Sequence, residues 1–242
     1  MAAPRFFVDL DFIVGQALTL PDAVAHHAVR VLRLRDGDPI VLFNGRGGEF
    51  AARLQVRGSH ANAQVERFDP IERESSLHLT LVQAWVAAEK LDWIVEKATE
   101  LGAARIAFVP AERCVVRLQG ERRERRLAHL RQLAIAACEQ CGRNRVPTIA
   151  AADTLAAALE SAGAAARLIL APDAEVPLAH AVPESSAALL VGPEGGFSPH
   201  EVAAALRLGC QAVRLGARVL RTETAGLAAL AALQALRGDL AR

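Results

Sequence analysis

Tyrosine is absent from this 242-residue chain, methionine occurs once, and only 2 of its 28 basic residues are lysine. Alongside 50 alanines, these biases reflect composition and carry no function. No apolar run approaches the roughly 18 residues of a membrane span, so no membrane partner is expected. The stretch Arg5-Phe6-Phe7-Val8-Asp9 turns acidic too soon to form the apolar core of a signal peptide. Four cysteines (Cys114, Cys138, Cys141 and Cys210) are too few for a disulfide framework at this length, and a reducing, cytoplasmic location is expected. An excess of either charge is also missing, because 28 basic residues face 27 acidic ones. That balance excludes a nucleic-acid binder built on bulk positive charge, and it excludes a disordered charged tail.

The length is enough for one large domain or two unequal ones, with a core that needs neither disulfide nor metal. The near-neutral sum hides segmentation. Residues 1–70 are neutral and residues 71–104 carry −3. Residues 105–145 carry +6, residues 146–205 carry −6, and residues 206–242 carry +4.

Two periodicities divide the chain. Up to residue 70, short apolar stretches at 5–8, 39–43, 49–56 and 63–68 predict strands. Turn residues at 36–38, 44–48 and 57–59 punctuate them, and Asn44-Gly45 is a hairpin signal. One short helix is expected over 21–34. This is the pattern of a small barrel or curled sheet. Beyond residue 76, strands predicted at 77–86, 105–109, 167–171, 187–191 and 211–215 alternate with helices at 89–101, 121–141, 154–161, 199–208 and 222–237. Such alternation implies a mainly parallel sheet covered on both faces. Ser198, Pro199 and Glu201 supply a complete helix start signal. The boundary falls near 69–75, giving domains 1–72 and 73–242.

Chemistry concentrates in two segments. The first is Val191-Gly192-Pro193-Glu194-Gly195-Gly196-Phe197-Ser198, where a buried strand enters a glycine-rich turn and then a capped helix. Glycines there let a ligand approach the backbone, at the strand end where open α/β sheets bind ligands. A plain tight turn is the alternative. Neither a dinucleotide fingerprint nor a phosphate loop is present. The second segment is Leu215-Gly216-Ala217-Arg218-Val219-Leu220-Arg221-Thr222-Glu223-Thr224-Ala225, again joining a strand end to a helix start. Glu223 there either serves the site or simply offsets the helix dipole. Together the segments suggest the walls of one pocket, with backbone amides, apolar groups, Arg221, and Glu194 or Glu223.

These segments resemble the SPOUT-class methyltransferases, and more narrowly the 16S ribosomal RNA uracil-N3 methyltransferase family. The resemblance extends over nearly the whole chain. Arg5-Phe6-Phe7-Val8 resembles the family's start, and residues 26–38 resemble its N-terminal RNA-binding stretch. Glu96-Lys97-Ala98-Thr99-Glu100-Leu101-Gly102, Glu112-Arg113 and Glu139-Gln140-Cys141-Gly142-Arg143 match further signatures, with Cys141 where serine is usual.

The resemblance implies an α/β C-terminal domain with a parallel sheet and a deep trefoil knot, preceded by a small PUA-like β-barrel. It implies S-adenosylmethionine as cofactor, a homodimer, and 16S ribosomal RNA or the small ribosomal subunit as partner. The cofactor would meet Leu170 and Ala171 at one strand end, and Gly192, Pro193, Glu194, Gly195 and Gly196 at the next. Leu215, Gly216, Val219, Leu220 and Thr222 would complete its site. Arg221, Glu194 and Glu223 are the catalytic candidates, to stabilise charge on a uracil oxygen and to take or orient the N3 proton. Arg5, His27, Arg30, Arg33, Arg35, Arg113 and Arg143 are the candidates for RNA contact.

Other motifs read more plainly. Cys138-x-x-Cys141 has no second pair at zinc spacing, and His26-His27 has no partner pair, so no metal is expected. The run Arg122-Arg123-Glu124-Arg125-Arg126 is either an exposed helix start or a contact for an external anion. Two rival functions are a non-catalytic RNA-binding module and a SPOUT enzyme that methylates a ribose 2′-hydroxyl of transfer or ribosomal RNA.

Overall fold

The computed structural model describes residues 3–58 and 60–240. Ser59, part of the expected turn at 57–59, lies outside them. Two compact units divide the chain. Unit 1 reaches to Glu74 and takes in Cys138–Val146; unit 2 holds Ser75–Ala137 and the chain from Pro147 onward.

Unit 1 is built on five strands: β1 (Arg5–Phe7), β2 (Ala17–Thr19), β3 (Pro39–Phe43), β4 (Glu49–Arg57) and β5 (His60–Asp69), in the order β1-β3-β4-β5-β2. Along β5 the side chains of Ala61, Ala63 and Val65 turn inward at every second position, as pleating requires. They join Phe6, Ile40, Leu42 and Leu54 in one core. The expected helix over 21–34 is shorter: α1 spans Asp22–His26, and one π-helical stretch follows at His27–Val31. Strand β2 had no β signal in the sequence.

The Cys138–Val146 segment was expected inside the C-terminal domain, yet it groups with unit 1. Its hydrogen bonds explain why. Glu139 accepts from the Phe7 amide at 2.9 Å, Asn144 accepts from Arg5 and donates to the Ile71 carbonyl, and Arg145 pairs with Glu72.

Unit 2 is a six-stranded parallel sheet. Its strands are β6 (His78–Ala84), β7 (Ala103–Val109), β8 (Thr148–Ala151), β9 (Ala166–Leu170), β10 (Ser186–Val191) and β11 (Gln211–Val213), in the order β11-β9-β10-β6-β7-β8. Central strands β6 and β10 are buried almost throughout, as a sheet covered on both faces demands. Leu81 of β6 pairs with Leu189 of β10. Helices α2 (Ala88–Glu100), α3 (Gly120–Cys141), α4 (Leu155–Ala162), α5 (Pro199–Arg207) and α6 (Thr222–Arg237) fill the connections. Leu91, Ile94, Val95 and Ala98 form the buried stripe of α2. In α5 the Ser198 hydroxyl caps the Glu201 amide, and the Glu201 carboxylate caps the Ser198 amide.

The last helix lies close against the sheet. A Cβ on Gly226 would stand 3.1 Å from a Leu81 methyl and 3.3 Å from a Val191 methyl, so glycine lets the helix lie this close without displacing either side chain. At its other end Gln234 is fully buried and accepts from the Ser75 hydroxyl at 2.7 Å.

Candidate active site

Strands β9, β10 and β11 are parallel and adjacent, so their carboxyl ends open on the same edge of the sheet. Leu170 and Ala171 follow β9, the glycine-rich turn follows β10, and residues 215–222 follow β11. A cavity of about 580 Å³ lies among them, within the roughly 300–1,000 Å³ of small-molecule sites. Every residue assigned above to the cofactor lines this cavity, and so do Arg221, Glu194 and Glu223. The two segments are walls of one pocket.

The floor is tightly built. The Gly196 amide donates back to the Pro193 carbonyl at 2.8 Å, and Gly196 has φ of +68°. A Cβ on Gly192 would stand 2.8 Å from the Phe197 nitrogen and 3.0 Å from the Gly196 carbonyl carbon. The turn therefore closes on its own backbone and leaves room for nothing larger than glycine at 192. The buried Thr222 hydroxyl donates to the Gly192 carbonyl at 2.6 Å and accepts from Gln83 Nε2 at 2.9 Å. Strand β6, the end of β10 and the start of α6 are thereby joined under the cavity.

Charge gathers at the rim. Lys90, in the first turn of α2, places Nζ 2.9 Å from Glu194 Oε1 and 3.4 Å from Glu223 Oε2. The hydrogen bond to Glu194 raises the Lys90 ammonium above its ordinary pKa. Burial pushes the Glu194 carboxyl up, but the Lys90 hydrogen bond, the Glu194 backbone amide and the Lys90 charge together outweigh it, and the net shift is downward. Arg221 is exposed at the N-cap of α6 and makes no capping bond with its side chain. Arg113 donates to the Gly195 carbonyl at 2.8 Å.

Sequence comparison agrees with this arrangement. Residues 73–234 match the model of an RNA methyltransferase domain, and residues 20–64 match that of an RNA methyltransferase PUA domain. A ribosomal RNA small subunit methyltransferase E from Mycobacterium bovis is 34% identical, over 98% of this chain and 93% of its own length. The chain belongs to the ribosomal RNA small subunit methyltransferase E family.

Solved structures agree. The Neisseria gonorrhoeae member, bound to S-adenosyl methionine, is 38% identical with a TM-score of 0.90, covering 98% of this chain and 99% of that one. A Legionella pneumophila protein in complex with the bound cofactor SAM is 34% identical with a TM-score of 0.93, covering 99% of this chain and all of that one. The fold is accordingly that of the family: a knotted, parallel-sheet SPOUT domain preceded by a PUA-like barrel.

The cavity suits the family's cofactor. Leu170, Val191, Leu215 and Leu220 give apolar walls for an adenine, the glycine turn exposes backbone, and carboxylates face the space where a cation would lie.

The RNA candidates of this family member fall in different environments. Arg30, Arg33 and Arg35 are exposed, and Arg33 has φ of +57°, an uncommon conformation for a non-glycine residue. His27 is half-buried, edge-on to Phe6 at 5.8 Å. Arg113 lines the cavity at the ends of β9, β10 and β11. Arg5 and Arg143 correct the sequence expectation, because both are turned inward. Arg143 is 4% exposed and paired with Glu74. Arg5 is paired with Glu49 and donates to the Arg143 carbonyl at 3.1 Å. Their charges are consumed inside unit 1.

In the 122–126 run, Arg123 pairs with Asp153 and Arg126 with Asp92, while Arg122 and Arg125 stay exposed. Cys138 is buried, which pushes its thiol up to about 12. Lys90 is the residue that sequence reasoning missed. A signal existed: a lysine in an arginine-rich chain, in a helix first turn where a cation is unfavourable.

Proposed function

We propose that this chain transfers a methyl group from S-adenosylmethionine to N3 of a uridine in 16S ribosomal RNA. The observation that carries the reading is the cavity at the ends of β9, β10 and β11, where both signature segments meet and Lys90, Glu194 and Glu223 cluster. Family membership over the full chain and two cofactor-bound relatives support it.

When bound, the cofactor supplies a methyl group on a sulfonium, an electrophile that needs positioning rather than a metal. The residues of the chain do the rest. Thr222 and Gln83 fix the turn at Gly192, so the backbone wall is preset. The exposed guanidinium of Arg221 stabilises negative charge growing on a uracil carbonyl oxygen. Glu194 or Glu223 takes the weakly acidic N3 proton. In this reading residues 73–242 form the catalytic domain, and residues 1–72 hold RNA through Arg30, Arg33 and Arg35. The enzyme works as a homodimer in the cytoplasm, as the family resemblance implies. No helix among the described residues is long and apolar enough to cross a membrane.

Labelled S-adenosylmethionine, incubated with undermodified ribosomal RNA and with intact small subunits, tests the proposal. The expected product is 3-methyluridine at one position. A 2′-O-methyl nucleoside would overturn the assignment, and no cofactor binding by calorimetry would favour a non-catalytic RNA binder.

A further inference from the structure

We propose that Lys90 is a positioning residue that gives the two carboxylates of the site different roles, binding Glu194 and leaving Glu223 as the proton acceptor. The inference rests on the methyl-transfer reading above. It starts from the geometry of three residues that α2, the β10 turn and α6 bring together.

The two carboxylates are not equivalent. Glu194 Oε1 takes a hydrogen bond from Lys90 Nζ at 2.9 Å, and its side chain is 38% exposed. Glu223 is deeper, at 19%. Its Oε2 is buried and takes the longer contact with the same ammonium, Nζ lying 3.4 Å away. A buried carboxylate oxygen that shares its donor at the longer distance is the less well satisfied of the two. An N–H offered by a ligand in the cavity would satisfy that carboxylate more fully, and uracil N3 carries one. Glu194 has its donor already, which makes it the poorer acceptor.

Charge bookkeeping supports the assignment. One ammonium and two carboxylates make a local charge of −1, which complements a sulfonium, in a cavity that Arg113, Asp173, Arg218 and Arg221 also line. In the reaction the N3–H bond breaks and its proton passes to the Glu223 carboxylate, which lines the cavity. Its electron pair forms the bond from N3 to the methyl carbon, and the methyl–sulfur bond returns its pair to sulfur. The cluster is then neutral, and so is the thioether. Lys90 stays protonated and paired with Glu194 throughout, so no charge is stranded at either stage.

The test uses the full chain and four variants, Lys90→Met, Lys90→Arg, Glu223→Gln and Glu194→Gln. Production of 3-methyluridine by the wild type is measured first. Its absence defeats the parent reading, whereas the outcomes below bear on Lys90 alone. Without the ammonium, the facing carboxylates retain a shared proton to higher pH. The acid limb of the kcat profile is therefore expected to move to higher pH in Lys90→Met and to return in Lys90→Arg. Glu223→Gln is expected to lose roughly 10²–10⁴-fold in kcat, the usual range for a general base, and Glu194→Gln much less. Calorimetry adds a readout independent of turnover. Preference for S-adenosylmethionine over neutral S-adenosylhomocysteine should rise several-fold in Lys90→Met and fall in Glu223→Gln. An unmoved acid limb in Lys90→Met, or equal losses in the two glutamine variants, would overturn the assignment. If Lys90→Met does not fold, Lys90→Gln and the affinity ratio in Glu223→Gln decide by the same criteria.

Discussion

The hydroxyl of Thr222 donates to the carbonyl of Gly192 at 2.6 Å while it accepts from Gln83 at 2.9 Å. One buried atom thus joins the two segments that wall the cavity. Thr222→Val keeps the shape and removes both bonds. The expected result is a loss of about 1–3 kcal/mol, the cost of leaving buried polar partners unpaired. Weaker S-adenosylhomocysteine binding should accompany it. Thr222→Ser, which keeps the hydroxyl, should retain most of the affinity. Denaturant unfolding and calorimetry check both.

Two glycines of the same turn should respond differently to alanine. At Gly192 the new Cβ would meet backbone, with Phe197 nitrogen 2.8 Å away. The turn must open, and cofactor affinity should collapse while the circular dichroism of the sheet persists. At Gly195 the Cβ would meet Arg113 Cβ at 3.2 Å and Cδ at 3.3 Å, contacts that a shift of a few tenths of an ångström relieves. Gly195→Ala should bind within a few-fold of wild type.

Arginines expected alike from the sequence should separate into stability and binding classes. Arg143→Met strands the Glu74 carboxylate in the interior of unit 1 and should cost about 3–5 kcal/mol, as breaking a buried ion pair does. Replacing Arg30, Arg33 and Arg35 with glutamine should leave stability almost unchanged. If those three side chains meet phosphates, RNA affinity should fall and the slope of log K against log salt should drop by about 2. Unchanged RNA binding would remove them from the interface.

Acid should act on Glu139 in a defined direction. Burial pushes its carboxyl above the ordinary 4.5, against the hydrogen bond from the Phe7 amide. A raised native pKa means that this group favours the folded state most when protonated. Its contribution is present in acid and is lost as pH rises through the native value. Glu139→Gln keeps an acceptor for Phe7 and removes the buried charge. It should be more stable than wild type at about pH 7, with the gap closing towards about pH 4. Urea melts at the two pH values measure it.

The sequence made some features legible and hid others for physical reasons. The capping box of Ser198 and Glu201 is local chemistry within four residues, and it was readable. So was the β–α alternation of unit 2, because each element carries its own periodicity. Strand β8 is the alanine-rich Thr148–Ala151, whose side chains carry little strand preference, and it was not recognised. Arg143 looked like an RNA contact because its partner, Glu74, is 69 residues away in sequence. The attachment of Cys138–Val146 to unit 1 depends on bonds such as Glu139 to Phe7, spanning 132 residues. Motif spacing located the cavity walls, but Lys90 reaches Glu194 across 104 residues and lies outside both segments.

The pairing of β6 with β10, and of Ser75 with Gln234, sets a timetable for biosynthesis. Strand β6 leaves the ribosome long before its neighbour: Leu81 must wait for Leu189. At ~5–20 residues per second that delay is roughly 5–20 s, during which an apolar strand edge stays open. Ser75 waits longer still, for a partner 159 residues downstream near the end of the last helix. Unit 2 therefore closes only after nearly the whole chain has been made, and a premature stop within α6 should yield an aggregating product rather than a weakened enzyme.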